Sequence, residues 1–189
     1  MTETDLGRSV FNYEGKIILL ITNFKFRRKA YLKKFFAEEL YKVYKEENLT
    51  ADVVCYIPMT EKAIKKRGYN QTELLAEEFS SLSGIPVADA LKKTRDTHKQ
   101  IGLKRKERLE NLKGSFKVTD KGAVKGKTVL LIDDVTTTGA TGEVVASYLK
   151  KAGAIKVVLL TVASVGSDKE TGLRRKEAED NRKPHKKEK

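Results

Sequence analysis

The sequence predicts an α/β fold, an open and mainly parallel sheet with helices on both faces. Short apolar segments, typical of buried strands, alternate with longer segments in which apolar residues recur at helical spacing. The clearest strand, residues 128–132, is followed by a helix at 141–151 and by a second strand at 157–162. Units of this kind build parallel sheets, because the helix returns the chain to the same end of the sheet.

Hydrophobic spacing and chain breakers predict the elements in order. Asn70 and Gly84 bound one helix, because a side-chain oxygen can accept an N–H of the first turn and glycine accommodates the last turn. Pro58 ends a strand, since it cannot continue a ladder of hydrogen bonds. Residues 94–114 are charged and predict a mobile loop that leads into a helical turn. The remaining predicted elements are a helix over residues 30–44, strands over 52–57 and 87–91, and the unit from 128 to 162, whose helix stops at Gly153.

The chain is predicted to form one domain, residues 1–165, followed by a charged and disordered tail, residues 166–189. Its length of 189 residues suits one core of ordinary size. No signal peptide or membrane span is evident, so we predict a cytoplasmic protein without membrane insertion. The single cysteine, Cys55, lies in an apolar run and predicts a buried, inert thiol.

Residues 129–141 contain the strongest functional signal, an apolar strand joined to a helix by a loop rich in hydroxyl groups. Ligands of open α/β sheets bind at the carboxyl ends of the strands, and a helix amino terminus offers unpaired N–H groups to an anion. Glycine in the loop allows the backbone to approach a ligand closely. The sequence therefore predicts a phosphate site formed by Thr136, Thr137, Thr138, Gly139, Ala140 and Thr141.

Two carboxylates, Asp133 and Asp134, precede this loop and need a different ligand group, because phosphate repels them. Adjacent strand residues point to opposite faces, so the pair is poorly placed to bind one metal ion together. Ribose hydroxyls suit the carboxylates better, and a ribose 5-phosphate unit presents hydroxyls and phosphate in a single ligand. The motif thus predicts a sugar-phosphate site.

Two other interpretations of the motif stay open. A purely structural turn between a strand and a helix has the same outline, although the complete pattern favours the sugar phosphate. An apolar strand that ends in two aspartates also resembles the Mg-binding strand of P-loop nucleotide hydrolases, with residues 122–128 as a phosphate loop. That segment has one residue too few between its glycines and precedes the strand that it should follow, which disfavours this interpretation.

The net charge of +13, from 39 Lys and Arg against 26 Asp and Glu, attracts polyanions. It is consistent with a nucleic acid and also with a phosphate-rich small substrate. Trp is absent and most of the seven Phe are predicted in the core, which lowers the expectation of a surface for stacking bases.

Several separated motifs together resemble the ComF family of phosphoribosyltransferase-like proteins, whose members are linked to competence and DNA uptake. Residues 129–141 resemble the phosphoribosyl pyrophosphate (PRPP) motif of type I phosphoribosyltransferases, and the whole resemblance covers about residues 13–163. Many members begin with a cysteine-rich zinc module, which this chain lacks; we expect a short variant or a module that lies elsewhere. The other matching residues are Tyr13, Gly15, Lys25, Phe26, Pro58, Arg67, Gly68, Tyr69, Asn70, Gln71, Arg95, Thr97, Gln100, Leu103, Arg108, Asn111 and Phe116.

The resemblance implies a type I phosphoribosyltransferase fold and a site for PRPP. It implies Mg²⁺ as the cofactor, carried by PRPP without a direct protein ligand. Asp133 and Asp134 would be the catalytic acids that contact the ribose hydroxyls, and the loop after them would hold the 5-phosphate. The pyrophosphate group would be held by Thr60, Glu61, Lys65, Lys66 and Arg67. A flexible loop that closes over the site would contribute Arg95, Lys99, Gln100 and Arg108.

Two functions are consistent with these observations. The first is a phosphoribosyltransferase that releases pyrophosphate and acts on an unknown acceptor, recognised by a hood at residues 13–28. The second is a non-catalytic accessory protein of DNA uptake that binds single-stranded DNA or responds to PRPP, with other DNA-uptake proteins as partners. The acidic pair and Gly139 favour PRPP binding under both, whereas the lysine-rich residues 24–34 favour the second.

Overall fold

The structure is a computed structural model that describes residues 4–96, 105–166 and 174–175. Its main sheet has five parallel strands in the order β2–β5–β6–β1–β7, and a separate antiparallel pair is formed by β3 and β4. The strands are β1 (Leu6–Asn12), β2 (Val53–Tyr56), β3 (Leu91–Lys93), β4 (Phe116–Val118), β5 (Thr128–Thr136), β6 (Lys156–Ser164) and β7 (Arg174–Arg175). The helices are α1 (Gly15–Phe26), α2 (Leu32–Glu46), α3 (Glu61–Arg67), α4 (Gln71–Ser83), α5 (Arg105–Leu112) and α6 (Ala140–Lys151).

Two hydrophobic cores lie on opposite faces of the main sheet. Helices α1, α2 and α4 cover one face, where Phe24, Phe36 and Phe79 are fully buried. Helix α6, the end of α5 and the β3–β4 pair cover the other face, with Leu112 and Leu149 in its core. The α/β fold predicted from the sequence, with helices on both faces of a mainly parallel sheet, is confirmed.

Most strongly patterned segments form the predicted elements. Helices α2, α4 and α6 and strands β2, β5 and β6 all lie where the sequence predicts them. The side chain of Asn70 accepts a hydrogen bond from the backbone N–H of Thr72 at 3.2 Å, and Gly84 ends α4 with φ of 75°. Cys55 is fully buried, and burial raises the pKa of its thiol to about 12.

Several regions differ from the prediction, and helix α1 and strand β4 lie where no element was predicted. The strand over residues 52–57 is not the first, because β1 precedes it and pairs with β6. The segment after Pro58, where no regular element was predicted, contains the short helix α3. The strand predicted at 87–91 is wrong in its extent: Val87 forms one parallel bridge with Val54, and the regular strand begins at Leu91. The segment predicted as a loop with one helical turn contains the two-turn helix α5.

The predicted tail contributes one described element. Arg174 and Arg175 form β7 and pair in parallel with Arg8 and Ser9 of β1, where the sequence predicts disorder. The other tail residues after Gly166 lie outside the described residues, as do Lys99 and Gln100 of the predicted flexible loop.

Candidate functional site

The carboxyl ends of four parallel strands meet at one edge of the main sheet, and backbone hydrogen bonds hold the loops that leave them. The N–H of Tyr13, after β1, donates to the carbonyl of Ser164 at 2.9 Å. The N–H of Val165, after β6, donates to the carbonyl of Thr136 at 2.9 Å. These bonds place the loops after β1, β5 and β6 side by side, so that they can share a ligand.

The predicted phosphate loop lines a cavity of about 270 Å³ at this edge. Gly139 adopts a left-handed conformation with φ of 75° and begins α6 without a side-chain cap, so that the first N–H groups of the helix face the loop. The hydroxyl of Thr138 is buried and has no hydrogen-bond partner in the described part of the chain. Such a group costs roughly 1–3 kcal/mol when left unsatisfied, and a ligand oxygen would satisfy it. Besides residues 136–141, the cavity is lined by Tyr13, Lys25, Asp133 and Val135.

Close packing holds the amino terminus of α6 in place. A Cβ atom added to Gly142 would lie 2.5 Å from a methyl carbon of Leu159, which belongs to β6. A larger residue at position 142 would therefore require Leu159 to shift, whereas glycine lets the first turn of α6 pack closely on β6.

The two carboxylates lie on opposite faces of the sheet, as predicted. Asp133 follows Leu131 on the face that α6 covers, and Asp134 follows Ile132 on the face of α1 and α4. Both are buried, with 8% and 5% of their surfaces exposed. They therefore have different neighbours and different environments.

Asp133 lines the cavity formed by the predicted phosphate loop, and its pKa is strongly shifted. Burial, together with the charge of Asp134, raises the pKa of Asp133 to about 7. The charges of Lys25 and Lys93 and the N–H of Asp134, which donates to Asp133 Oδ1 at 2.8 Å, act in the opposite direction. Buried carboxylates with such shifts are concentrated at functional sites.

Asp134 is held by three neighbours. Lys25 Nζ of α1 lies 2.8 Å from Asp134 Oδ1, and the N–H of Val135 donates to the same oxygen at 2.5 Å. Gln71 Nε2, at the start of α4, donates to Asp134 Oδ2 at 2.5 Å. Neither Lys25 nor Gln71 was predicted as a partner of the acidic pair, and the available signal was their presence among the residues of the family resemblance.

A second cavity, of about 680 Å³, lies beside the start of α3 and is rich in cations. Thr60 forms its rim: its hydroxyl accepts the N–H of Ala63 at 3.2 Å and donates to Asp96 Oδ1 at 2.5 Å. Burial lowers the pKa of Lys93, whereas the charges of Asp96 and Asp133 raise it. Lys93 therefore lines the second cavity while its charge interacts with that of Asp133, which lines the first. The lining residues are Thr60, Glu61, Lys62, Lys65, Lys92, Lys93, Thr94, Arg95 and Asp96.

The predicted pyrophosphate residues have three different environments. Thr60, Glu61 and Lys65 line the cationic cavity, and Glu61 pairs with Lys92 at 2.8 Å. Arg67, in contrast, donates a hydrogen bond to Gln71 Oε1, and its guanidinium carbon lies 4.9 Å from the ring centroid of Phe26. Lys66 is an exposed residue of α3.

Of the predicted loop residues, Arg95 has a structural contact. Its guanidinium donates to the carbonyls of Asn111 and Lys113 at 3.1 and 2.8 Å, at the carboxyl end of α5, where cations are favoured. The same residue lines the cationic cavity. Arg108 belongs to α5.

Comparison with known proteins identifies the family. The family profile described as the phosphoribosyl transferase domain matches residues 63–184, well over half of the chain. The chain belongs to this family. The matched range includes the acidic pair, the phosphate loop and part of the cationic cavity, and the fold is that of type I phosphoribosyltransferases.

Individual relatives assign this phosphoribosyltransferase-like chain to the ComF group. It is 30% identical over 149 residues to Competence protein F of Haemophilus influenzae, and the alignment covers 75% of this chain and 65% of that protein. It is 32% identical over 151 residues to Competence protein ComFC of Bacillus subtilis, which covers 78% of the chain and 59% of that protein. The chain therefore spans less than two thirds of the length of both relatives.

A solved structure, the purine phosphoribosyltransferase from Pyrococcus horikoshii, is similar with 17% identity and a TM-score of 0.44. The alignment covers 84% of this chain and 77% of that one.

Two kinds of feature are absent from the described residues. They contain no group of three or more His, Cys, Asp or Glu placed to hold a metal ion. They also contain no helix whose length and apolar character would let it cross a bilayer.

Proposed function

We propose that the chain binds PRPP with Mg²⁺ at this sheet edge and transfers its phosphoribosyl group to an acceptor, releasing pyrophosphate. One observation carries the proposal: Asp133 lines a cavity formed by the phosphate loop, and Lys93 connects it electrostatically to a cavity rich in cations. PRPP carries its 5-phosphate, ribose and pyrophosphate in an order that matches the phosphate loop, Asp133 and the cationic cavity.

The roles of the residues follow from the charge that develops during transfer. The bond between the anomeric carbon and pyrophosphate breaks while the acceptor bonds to that carbon, and positive charge builds on the ribose. The carboxylate of Asp133 stabilises this charge, and Lys65 and Lys93 neutralise the departing pyrophosphate. The buried hydroxyl of Thr138 and the N–H groups of α6 bind the 5-phosphate.

Magnesium suits this site as part of the substrate. Asp133 and Asp134 face opposite sides of the sheet, and Asp134 already accepts hydrogen bonds from Lys25 and Gln71. These carboxylates are poorly placed to hold a resident ion together, whereas the phosphate oxygens of PRPP are good ligands for Mg²⁺. The metal offsets the negative charge of pyrophosphate when it is bound.

Calorimetric titration with PRPP and Mg²⁺ tests the proposal. The native chain is compared with the Asp133→Asn, Asp134→Asn double variant and with Glu38→Gln, which removes an exposed carboxylate of α2. We expect saturable binding by the native chain and by Glu38→Gln, and loss of binding in the double variant. Absence of binding by the folded native chain would refute the assignment of the ligand. Release of pyrophosphate with candidate acceptors then tests catalysis.

A second function, binding of single-stranded DNA in competence, is favoured by one surface and by the names of the two relatives. Phe26 and Tyr31 are 68% and 66% exposed, and Arg27 and Arg28 between them are exposed as well. Exposed aromatic rings stack on bases and cations neutralise phosphates, so this surface combines both requirements. The sequence analysis lowered the expectation of such a surface, because it predicted most Phe residues in the core.

Titration of single-stranded DNA at increasing salt tests this second function. We expect affinity that falls steeply with salt, that is lost in the Phe26→Ala, Tyr31→Ala variant and that is retained in the Asp133→Asn, Asp134→Asn variant. Phe36→Ala is unsuitable as a control because Phe36 is fully buried, whereas Ile155→Ala removes a side chain that is 68% exposed on another part of the surface. No binding even at low salt would exclude this function.

A further inference from the structure

We infer that Arg67 and Gln71 are positioning residues that orient the acidic pair through Asp134, and that Arg67 is not a ligand of pyrophosphate. The inference rests on the proposed function and deepens it. Lys65, Lys66 and Arg67 of α3 were predicted from the sequence to bind pyrophosphate together, whereas the inference gives Arg67 a separate role.

The amide of Gln71 matches two chemically opposite partners. Its Nε2 donates to Asp134 Oδ2 at 2.5 Å, and its Oε1 accepts a hydrogen bond from Arg67. A carboxylate can only accept and a guanidinium can only donate, so the orientation of the amide is determined on both sides. A carboxylate at position 71 would lack the donor, and an apolar side chain would leave both partners without a bond.

The chain between the two residues is built to bring them together. Arg67 is the last residue of α3, and Gly68 then turns the chain with φ of 97°. The side chain of Asn70 accepts the N–H of Thr72 at 3.2 Å and so determines where α4 begins. Gln71, the first residue of α4, is thereby held with 7% of its surface exposed.

Arg67 itself is committed to this structure. Its guanidinium lies over the ring of Phe26, in α1, and also lies 3.5 Å from the sulfur of Met59. Lys25 of the same helix pairs with Asp134 from the other side. The arrangement ties α1, α3 and α4 to the end of β5.

Both oxygens of Asp134 are consequently engaged, which fixes the orientation of its carboxylate. The N–H of Asp134 in turn donates to Asp133 Oδ1 at 2.8 Å, so the peptide that Asp134 anchors also orients Asp133 toward the phosphate cavity. Loss of the Gln71 hydrogen bond would release Asp134 and weaken the contact of the pair with the ribose. The expected loss of PRPP affinity is about tenfold, as for one hydrogen bond to a charged group.

A double-mutant cycle on PRPP affinity tests this inference. Gln71→Ala is expected to lower the affinity about tenfold in the native chain and less than twofold in the Asp134→Asn variant, because its effect acts through Asp134. Equal losses in the two backgrounds would overturn the inference. If the native chain itself fails to bind PRPP, the proposed function fails; if it binds and the losses are additive, the inference alone fails.

Two further measurements separate positioning from folding and from pyrophosphate binding. Gln71→Glu keeps the size of the side chain, and its affinity relative to the native chain is expected to recover as the pH falls, because protonation restores a donor toward Asp134. A pH-independent ratio would contradict this. Arg67→Ala is expected to bind magnesium pyrophosphate within twofold of the control Lys45→Ala, which removes an exposed lysine of α2, whereas Lys65→Ala binds it more weakly. Selective loss of pyrophosphate affinity in Arg67→Ala would overturn the assignment of Arg67.

Discussion

Replacement of Asp133 by Asn is expected to change how the stability of the protein depends on pH. The pKa of Asp133 is raised from 3.8 to about 7, chiefly by burial and then by the charge of Asp134. Between these values the folded state holds a proton that the unfolded state has released. The contribution of Asp133 to stability is therefore complete below pH 4 and is lost as the pH rises through 7.

The magnitude follows from the two pKa values. Raising the pH from 5 to 8 removes about 2 to 3 kcal/mol of stability from the native chain through this one group. An Asn side chain has a similar shape and does not titrate, so the variant does not undergo this loss. The free energy of unfolding of Asp133→Asn, relative to the native chain, is therefore expected to increase by about 2 to 3 kcal/mol between pH 5 and pH 8.

Urea unfolding at the two pH values, followed by circular dichroism, measures this difference. The contributions of all other titrating groups are nearly common to both proteins and cancel in the comparison. Glu38→Gln, which removes an exposed carboxylate, is the matched control and is expected to show a change of less than about 0.5 kcal/mol. If the stability difference between Asp133→Asn and the native chain is the same at pH 5 and pH 8, the raised pKa of Asp133 is refuted.

Three further predictions concern single side chains. Thr138→Val is expected to raise the free energy of unfolding by about 1 kcal/mol, because it removes a buried hydroxyl that has no partner among the described residues. It is also expected to weaken PRPP binding. Thermal unfolding measures the first effect and calorimetry the second, and unchanged binding would exclude a contact with the 5-phosphate. Gly142→Ala is expected to lower the free energy of unfolding by about 1–3 kcal/mol, since the new methyl group would lie 2.5 Å from a carbon of Leu159; unchanged stability in urea would mean that Leu159 moves aside freely. The thiol of Cys55 is expected to resist alkylation in the native state and to react once the chain is unfolded, because it is buried and its pKa is raised to about 12. Mass spectrometry measures the labelling, and fast reaction in the native state would contradict the burial of the thiol.

Where local patterning is strong, the sequence was sufficient to predict the fold. The apolar run of β5 and the helical spacing in α2 and α4 show which residues are buried, whatever element packs against them. Asn70 and Gly84 mark the ends of α4 through a local hydrogen bond and a local backbone conformation. Weak local patterns were missed. Strand β1 contains Gly7 and Arg8, and its extended form depends on parallel pairing with β6.

The candidate site divides in the same way. The phosphate loop and the acidic pair are contiguous, so a single segment predicted both of them and their placement on opposite faces. Thr60 and Lys65, which line the cationic cavity, were also assigned from the sequence.

The long-range contacts were decided only by the tertiary structure. Gln71 and Asp134 are 63 residues apart in the chain, and Lys25 reaches Asp134 from a third element, α1. Helical spacing shows which face of α1 or α4 is buried, but not which strand residue that face meets. Which strand residue a helix contacts depends on how the helices pack against the sheet. This packing surrounds Asp134 with hydrogen-bonding neighbours and leaves Asp133 lining the cavity.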